Sequence, residues 1–238
     1  MIFDLDGTPA DIGFPDTRFA ETEPNGLLAI GGDLGRTRLL NAYRLGIFPW
    51  FSRGQPILWW SPTPRMVLFP DEFRASRSLR KSLRNRGYRV SVDQAFEQVI
   101  LGCAGPRRGD PGTWLLPQMV AAYRALHEDG HAHSIEVWRE EELVGGLYGI
   151  ALGQTFFGES MFSRRTDASK VALALLVRLA RRQPYRLIDC QVYTEHLASL
   201  GAREIERAAF EHMLRDHVAA PAAALAPQPP FHAQDLLA

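Results

Sequence analysis

Two carboxylates stand where carboxylates are costly. Asp189 lies in the apolar run Ile188-Asp-Cys-Gln-Val192, and Glu159 lies in Phe157-Gly-Glu-Ser-Met-Phe162. An ionised carboxylate in an apolar strand is expensive unless something pairs with it. Regular alternation puts Asp189 and Gln191 on one strand face, with Ile188, Cys190 and Val192 opposite. Asp189 can then orient Gln191, whose amide oxygen can accept a hydrogen bond from an attacking amine. A structural bond from Asp189 to a loop is the alternative these residues leave open. With Phe156, Phe157 and Met161 around Glu159, the two acids point to a cation held beside an apolar pocket.

Other constellations are weaker. Phe3–Thr8 imitates the Asp-x-Asp-Gly-Thr motif of phosphatases, but only three residues precede Asp4 and Pro9 follows at once. An acidic chain start is the simpler reading. His127, His131 and His133 have a zinc-like spacing, yet Gly130 should end a helix between them and no fourth ligand is near. Cys190 reads as a small core residue. Arg74, Arg77, Arg80, Lys81, Arg84, Arg86 and Arg89 form a basic run with no acid between its ends. Such a run is either a solvated helix face or a phosphate-binding stripe. The aromatics Phe48, Trp50, Phe51, Trp59 and Trp60, broken by prolines, can stack a single-stranded base.

Elements must position these groups. The spacing predicts helices over 37–45, 71–86 (carrying Arg74, Arg77, Lys81 and Arg84 as one stripe), 93–103 with Asp93 as cap, and 117–128. Residues 133–138 and 143–150 alternate and read as a β-hairpin, followed by strand 154–163, amphipathic helix 168–181, strand 187–192 and helix 195–200. The class is α/β (α+β), and this order is that of a GNAT-like acyltransferase core. Acyl-CoA enzymes of that type cradle pyrophosphate with a glycine-rich loop before the long helix. Here that segment is Ser163-Arg-Arg-Thr-Asp-Ala-Ser-Lys170, without glycine, which argues against CoA.

Composition narrows the field. The 238 residues carry 27 basic and 27 acidic side chains, so any nucleic-acid affinity must come from a local patch. Two cysteines make no disulfide framework, and no apolar run is long enough for a transmembrane helix. The start lacks the features of a signal peptide. A cytoplasmic setting is the default expectation. The expected division is a flexible lead-in over 1–22, a small N-terminal domain over 23–66, a GNAT-like domain over 67–218 with basic helix 72–86, and a disordered Ala/Pro-rich tail over 219–238.

Several long motifs, in one order from about residue 23 to about 210, carry a specific resemblance. They are Glu23-Pro-Asn-Gly-Leu-Leu-Ala-Ile-Gly-Gly-Asp33, Tyr43-Arg-Leu-Gly-Ile-Phe-Pro-Trp-Phe-Ser52, Leu58-Trp-Trp-Ser-Pro62, Gly112-Thr-Trp114, Gly130-His-Ala-His-Ser-Ile-Glu-Val-Trp138, Leu143-Val-Gly-Gly146, Gly158-Glu-Ser-Met-Phe-Ser-Arg164 and Leu187-Ile-Asp-Cys-Gln-Val192. Together they resemble the leucyl/phenylalanyl-tRNA–protein transferase family. The resemblance implies transfer of Leu or Phe, and more weakly Met, from aminoacyl-tRNA to the N-terminal Arg or Lys of a protein, marking it for degradation by the N-end rule. It implies a small N-terminal domain plus a GNAT-like C-terminal domain.

The resemblance also implies roles. Asp189 and Gln191 match the pair at the reaction centre, and Glu159 matches a residue facing the basic acceptor N-terminus. Phe156, Met161 and Ile188 match the aminoacyl pocket wall, with Leu147 at a wall position that can hold Met in relatives. Tyr43, Trp50 and Trp114 match residues around the terminal adenosine. The basic residues Arg74, Arg77, Arg80, Lys81 and Arg84 are then expected on tRNA phosphates. Aminolysis of an activated ester draws its driving force from the tRNA ester, so neither metal nor cofactor is expected, and a monomer suffices. The rivals are a GNAT-type acyl-CoA N-acyltransferase and a non-catalytic RNA-binding module.

Overall fold

The computed structural model describes residues 2–105, 115–221 and 225–237. A small sheet opens the chain. Strand β1 (Phe3–Asp4) lies parallel to β2 (Leu27–Ile30), and β3 (Phe48–Pro49) and β4 (Leu58–Trp60) complete the order β1-β2-β4-β3. Helix α1 (Arg36–Arg44) links β2 to β3 and ends before Gly46, whose φ of 74° suits a residue without a side chain. Residues 1–22 were expected to be a flexible lead-in. Instead Leu5 is buried, and the Phe14 ring meets Trp59 edge-on at 4.9 Å. The apolar residues scattered among its turns have a sheet to dock on, which no local period reveals.

The larger sheet has eight strands: β5 (Arg65–Leu68), β6 (Tyr88–Val92), β7 (Ala132–Arg139), β8 (Glu142–Leu152), β9 (Thr155–Ser163), β10 (Leu187–Gln191), β11 (Arg203–Ile205) and β12 (Gln228–His232). Their order is β11-β5-β10-β9-β8-β7-β6-β12. One face is covered by α3 (Phe96–Ala104), α4 (Pro117–Glu128) and the N-terminal sheet, in a core with Tyr148, Phe157 and Leu187. The other is covered by α2 (Arg77–Asn85) and α5 (Ala168–Arg182), in a core with Leu147, Phe156 and Ile188. Alternate residues of each strand thus serve opposite cores. Gly145 is needed for close docking: a Cβ there would lie 2.5 Å from that of Ala168. After β10 come the short α6 (Glu195–Ala198) and α7 (Arg207–Ala219). The expected run of hairpin, strand, helix, strand and helix is realised by β7, β8, β9, α5, β10 and α6.

Three expectations need correction. The basic helix starts at Arg77, not near residue 72, because the Ser76 hydroxyl caps it by accepting from the Leu79 amide at 3.1 Å. Asp71 and Glu72 belong to a separate 3-10 turn, and Glu72 pairs with Arg203 at 2.9 Å. Asp93 does not cap α3; its carboxylate accepts from the Ser134 amide at 2.7 Å and meets His133 Nδ1 at 2.6 Å. Lastly, the chain beyond residue 219 is not a disordered tail where it is described. Strand β12 pairs with β6, and Leu225 and Ala233 are buried. Composition misleads there because an open edge of β6 supplies the missing partner.

Candidate active site

Two neighbouring strands break their regular pairing at the same level. On β9, Tyr148 pairs with Ser160 and Gly149 with Gly158, which leaves Glu159 as the extra residue of a β-bulge. On β10, Asp189 pairs with Val67 and Gln191 with Met66, which leaves Cys190 as the extra residue. Parallel pairing of β9 with β10 ends at Phe157 and Asp189. Beyond that point the strands present Glu159 and Gln191 to one another.

A chain of hydrogen bonds fills this opening. Arg65 grips Asp189 through Nε to Oδ1 at 2.8 Å and Nη2 to Oδ2 at 2.6 Å. Phe48 and Phe210 stack on the same guanidinium, at 4.8 and 4.7 Å. Asp189 Oδ1 also accepts from the Gln191 backbone amide at 2.9 Å. That bond holds Gln191 at φ 63°, a left-handed conformation unusual for a residue with a side chain. Asp189 therefore braces Gln191 through its backbone, not through its side-chain amide as strand alternation suggested. The Gln191 side chain donates Nε2 to Glu159 Oε1 at 2.8 Å, which leaves the amide oxygen as its acceptor. Tyr123 donates to Glu159 Oε2 at 2.6 Å, and the Tyr43 and Tyr123 hydroxyls meet at 2.6 Å.

Electrostatics follow from burial. The Glu159 carboxyl is pushed up to about 7 by loss of water and by Asp189, against the pull of hydrogen bonds from Tyr123 and Tyr43 and the charge of Arg65. The Tyr43 and Tyr123 hydroxyls lie well above their ordinary range because they are buried beside Glu159. Burial also pushes the Cys190 thiol up, so it stays protonated.

A cavity of about 310 Å³ opens against this network. Leu147, Phe156, Met161 and Ile188 line it, together with Leu173 and Leu176 of α5. Glu159, Asp189 and Gln191 line it as well. Phe156 and Met161 are five residues apart, so a regular strand would send them to opposite faces; the bulge at Glu159 turns both toward the α5 core. The arrangement can seat an apolar side chain with a polar, cation-tolerant centre at its edge.

The remaining expected site residues are spread more widely. Trp50 lines the cavity, 46% exposed, and stands beside Trp60 with ring centres 6.0 Å apart. Tyr43 is buried behind Glu159 and offers no open ring face. Trp114 lies outside the described residues. Arg74, Arg77, Arg80, Lys81 and Arg84 are all exposed, and no ion pair engages them among the described residues. Of the three histidines, His127 stacks on Phe96 at 4.1 Å, His131 approaches Arg36 at 3.3 Å, and His133 pairs with Asp93. Asp4 and Asp6 turn to the Asp6 and Gly32 backbone amides respectively.

Arg65, Tyr123 and Phe210 are site residues that the sequence alone does not flag, and Phe48, flagged for base stacking, instead packs on Arg65. One signal existed for Arg65: a cation heading an apolar strand, Arg-Met-Val-Leu, poses the same problem as Asp189 and answers it. Tyr123 reads only as an apolar position of its helix.

Comparison with known proteins bears on this site. A family model described as leucyl/phenylalanyl-tRNA protein transferase matches residues 67–215. A second, described as the N-terminal domain of that transferase, matches residues 32–63. A leucyl/phenylalanyl-tRNA–protein transferase of Stutzerimonas stutzeri is 59% identical over 214 residues, covering 90% of this chain and 95% of the relative. One from Chromobacterium violaceum is 58% identical over 208 residues, covering 87% and 89%. Among solved structures, L-PGS from Bacillus licheniformis has a TM-score of 0.39 at 16% identity, over 72% of this chain and 57% of that one. An aminoglycoside acetyltransferase from an uncultured soil metagenomic sample has a TM-score of 0.35 at 16% identity, over 48% and 87%. Likeness this slight has no bearing on the reaction.

Proposed function

Since the chain belongs to the leucyl/phenylalanyl-tRNA–protein transferase family, an aminoacyltransferase family, we propose that it moves Leu or Phe, and more weakly Met, to the N-terminal Arg or Lys of acceptor proteins. The product would carry a residue that commits it to degradation by the N-end rule. The observation that carries this reading is the apolar cavity lined by Leu147, Phe156, Met161 and Ile188, ending at Asp189, Gln191 and Glu159.

The chemistry is aminolysis of the ester joining the amino acid to the terminal ribose. The acceptor nitrogen adds to the ester carbonyl, the C–O bond breaks, and the ribose oxygen leaves with a proton. The ester supplies the driving force, so holding two substrates in line is the enzyme's main contribution. The side chain of the donor residue fills the cavity. Trp50 stacks on the terminal adenosine, with Trp114 as a further residue for that end of the tRNA, while the buried Tyr43 acts from behind, through Tyr123 on Glu159. Gln191 accepts a hydrogen bond from the attacking amine, its carbonyl aimed by Glu159 and its backbone held by Asp189. Glu159 pairs with the acceptor's cationic groups. Arg74, Arg77, Arg80, Lys81 and Arg84 take tRNA phosphates.

The CoA alternative has a specific obstacle. Asp167 stands at the start of α5, bound to Ser82 at 2.7 Å and to Lys170 at 3.1 Å, where a carboxylate would repel pyrophosphate. Among the described residues no helix is long and apolar enough to cross a membrane. The reading includes a monomer working in the cytoplasm, beside its charged tRNAs.

Incubation with radiolabelled Leu-tRNA and a peptide starting with Arg tests the reading. Labelled peptide is expected, and much less from Ile-tRNA or Val-tRNA, whose side chains branch at Cβ. A protein that binds the tRNA yet labels no peptide would overturn it. Acetyl-CoA is expected to give no thermal stabilisation.

A further inference from the structure

The acceptor's α-amine arrives largely as an ammonium, which cannot attack a carbonyl. An α-amino group has a pKa of about 7.7–8.0. Something at the site must take its proton. The amide oxygen of Gln191 can orient the amine, but an amide is too weak a base near neutral pH to hold the proton.

The groups lining the cavity that could hold it are few. Asp189 is committed on both oxygens to Arg65, and to the Gln191 backbone as well. The Cys190 thiol is already protonated, as burial dictates. The His196 imidazole lines the same cavity, but burial and Lys170 hold it below its ordinary range, and no hydrogen bond joins it to Gln191 among the described residues. Glu159 remains. It is the bulged residue of β9, its Oε1 is one hydrogen bond from the Gln191 amide, and no cation grips it among the described residues.

Resting on the reading above, we propose that Glu159 is the proton acceptor of the transfer reaction, removing a proton from the acceptor's α-ammonium while Gln191 aims the nitrogen. A primary ammonium can bridge the Gln191 amide oxygen and Glu159 Oε1. One N–H proton passes to the carboxylate, which becomes a carboxylic acid, and the nitrogen lone pair is freed. The nitrogen adds to the ester carbonyl, and its second proton leaves with the ribose oxygen as the C–O bond breaks. The products are an amide, a ribose hydroxyl and protonated Glu159, which returns its proton to solvent. The balance suits the site, because a carboxyl near 7 accepts from an amine near 8 with little driving force lost in either direction. The groups that set it are Tyr123 on α4, Tyr43 on α1, Asp189 on β10 and Arg65 on β5, while Tyr148 on β8 and Cys190 and Gln191 on β10 line the same cavity.

The test compares two acceptors with Leu-tRNA as donor: a peptide starting with Arg, and the same peptide with an aminooxy group in place of its α-amine. The aminooxy nitrogen is neutral throughout and needs no base. Glu159→Gln keeps the size and the contact to Gln191. Its loss of kcat at pH 7 is expected to be at least tenfold greater for the amine than for the aminooxy acceptor. Equal losses would make Glu159 a positioning residue only and overturn the proposal. Tyr123→Phe gives a second reading in a milder variant. It removes a donor to the ionised carboxylate, so the rising limb of kcat against pH should move up by about half a unit or more. A limb that does not move would also count against the proposal. If the wild-type enzyme labels neither acceptor, the failure lies with the transferase reading itself.

Discussion

Arg65 and Asp189, 124 residues apart in sequence, form a two-pronged ion pair with both side chains almost wholly removed from water. Removing one partner of such a pair leaves the other charge buried and uncompensated, at a cost of about 3–5 kcal/mol. Arg65→Met is expected to lower the unfolding free energy in urea by about that much. Asp189→Ala should also release the Gln191 backbone, so it should lower the transfer rate far more than it weakens tRNA binding. Equal loss in both would assign Asp189 to structure.

The cavity wall makes its own prediction. Leu147 faces the α5 core with Phe156 and Ile188, and trimming it widens the pocket. Leu147→Ala should favour Phe-tRNA over Leu-tRNA by about tenfold, since one misfitted methylene changes discrimination by about 1–3 kcal/mol. Competition between the two charged tRNAs, read as a ratio of kcat/KM, checks it. An unchanged ratio would place the donor side chain elsewhere.

For the basic helix, Arg77 and Arg84 are exposed on α2 and no acid pairs with either among the described residues. Replacing both by Ala should weaken tRNA binding and reduce the slope of log K against log salt by about two, one per lost phosphate contact. A slope that holds would mean a solvated face.

Stability should depend on pH through Glu159. Its folded carboxyl is raised from 4.5 to about 7, so between those values the unfolded chain releases a proton that the folded chain keeps. The native state thus binds more protons there, and stability falls as pH rises through this window. At about 1.36 kcal/mol per unit the loss is about 3 kcal/mol at most. Urea unfolding at pH 5 and pH 7.5 should show it in the wild type and show less of it in Glu159→Gln.

The elements were mostly legible, and the site less so. Helix 117–128 follows from periodicity and the glycine beyond it, and the structure has it at those bounds. The carboxylates at 159 and 189 announced themselves by being costly where they stand. Their geometry did not. A β-bulge leaves no local trace in an alternating pattern, so nothing in residues 155–163 reveals that Phe156 and Met161 share a face. The partnership of Arg65 with Asp189 is a tertiary event, as is the covering of the β6 edge by residues 228–232. The ordered lead-in over 2–22 and the strand over 228–232 depart from their composition for the same reason. Turn-rich or Ala/Pro-rich composition describes what a segment does alone, not what an open edge lends it.

The central claim is that the donor amino acid sits in the Leu147–Phe156–Met161–Ile188 cavity with its ester carbonyl at Gln191. A crystal structure with an adenosine analogue carrying phenylalanine through a stable amide tests this most directly. The phenyl ring should lie among those four side chains, with the carbonyl carbon beside the Gln191 amide. An analogue ordered at another surface while the cavity stays empty would contradict it.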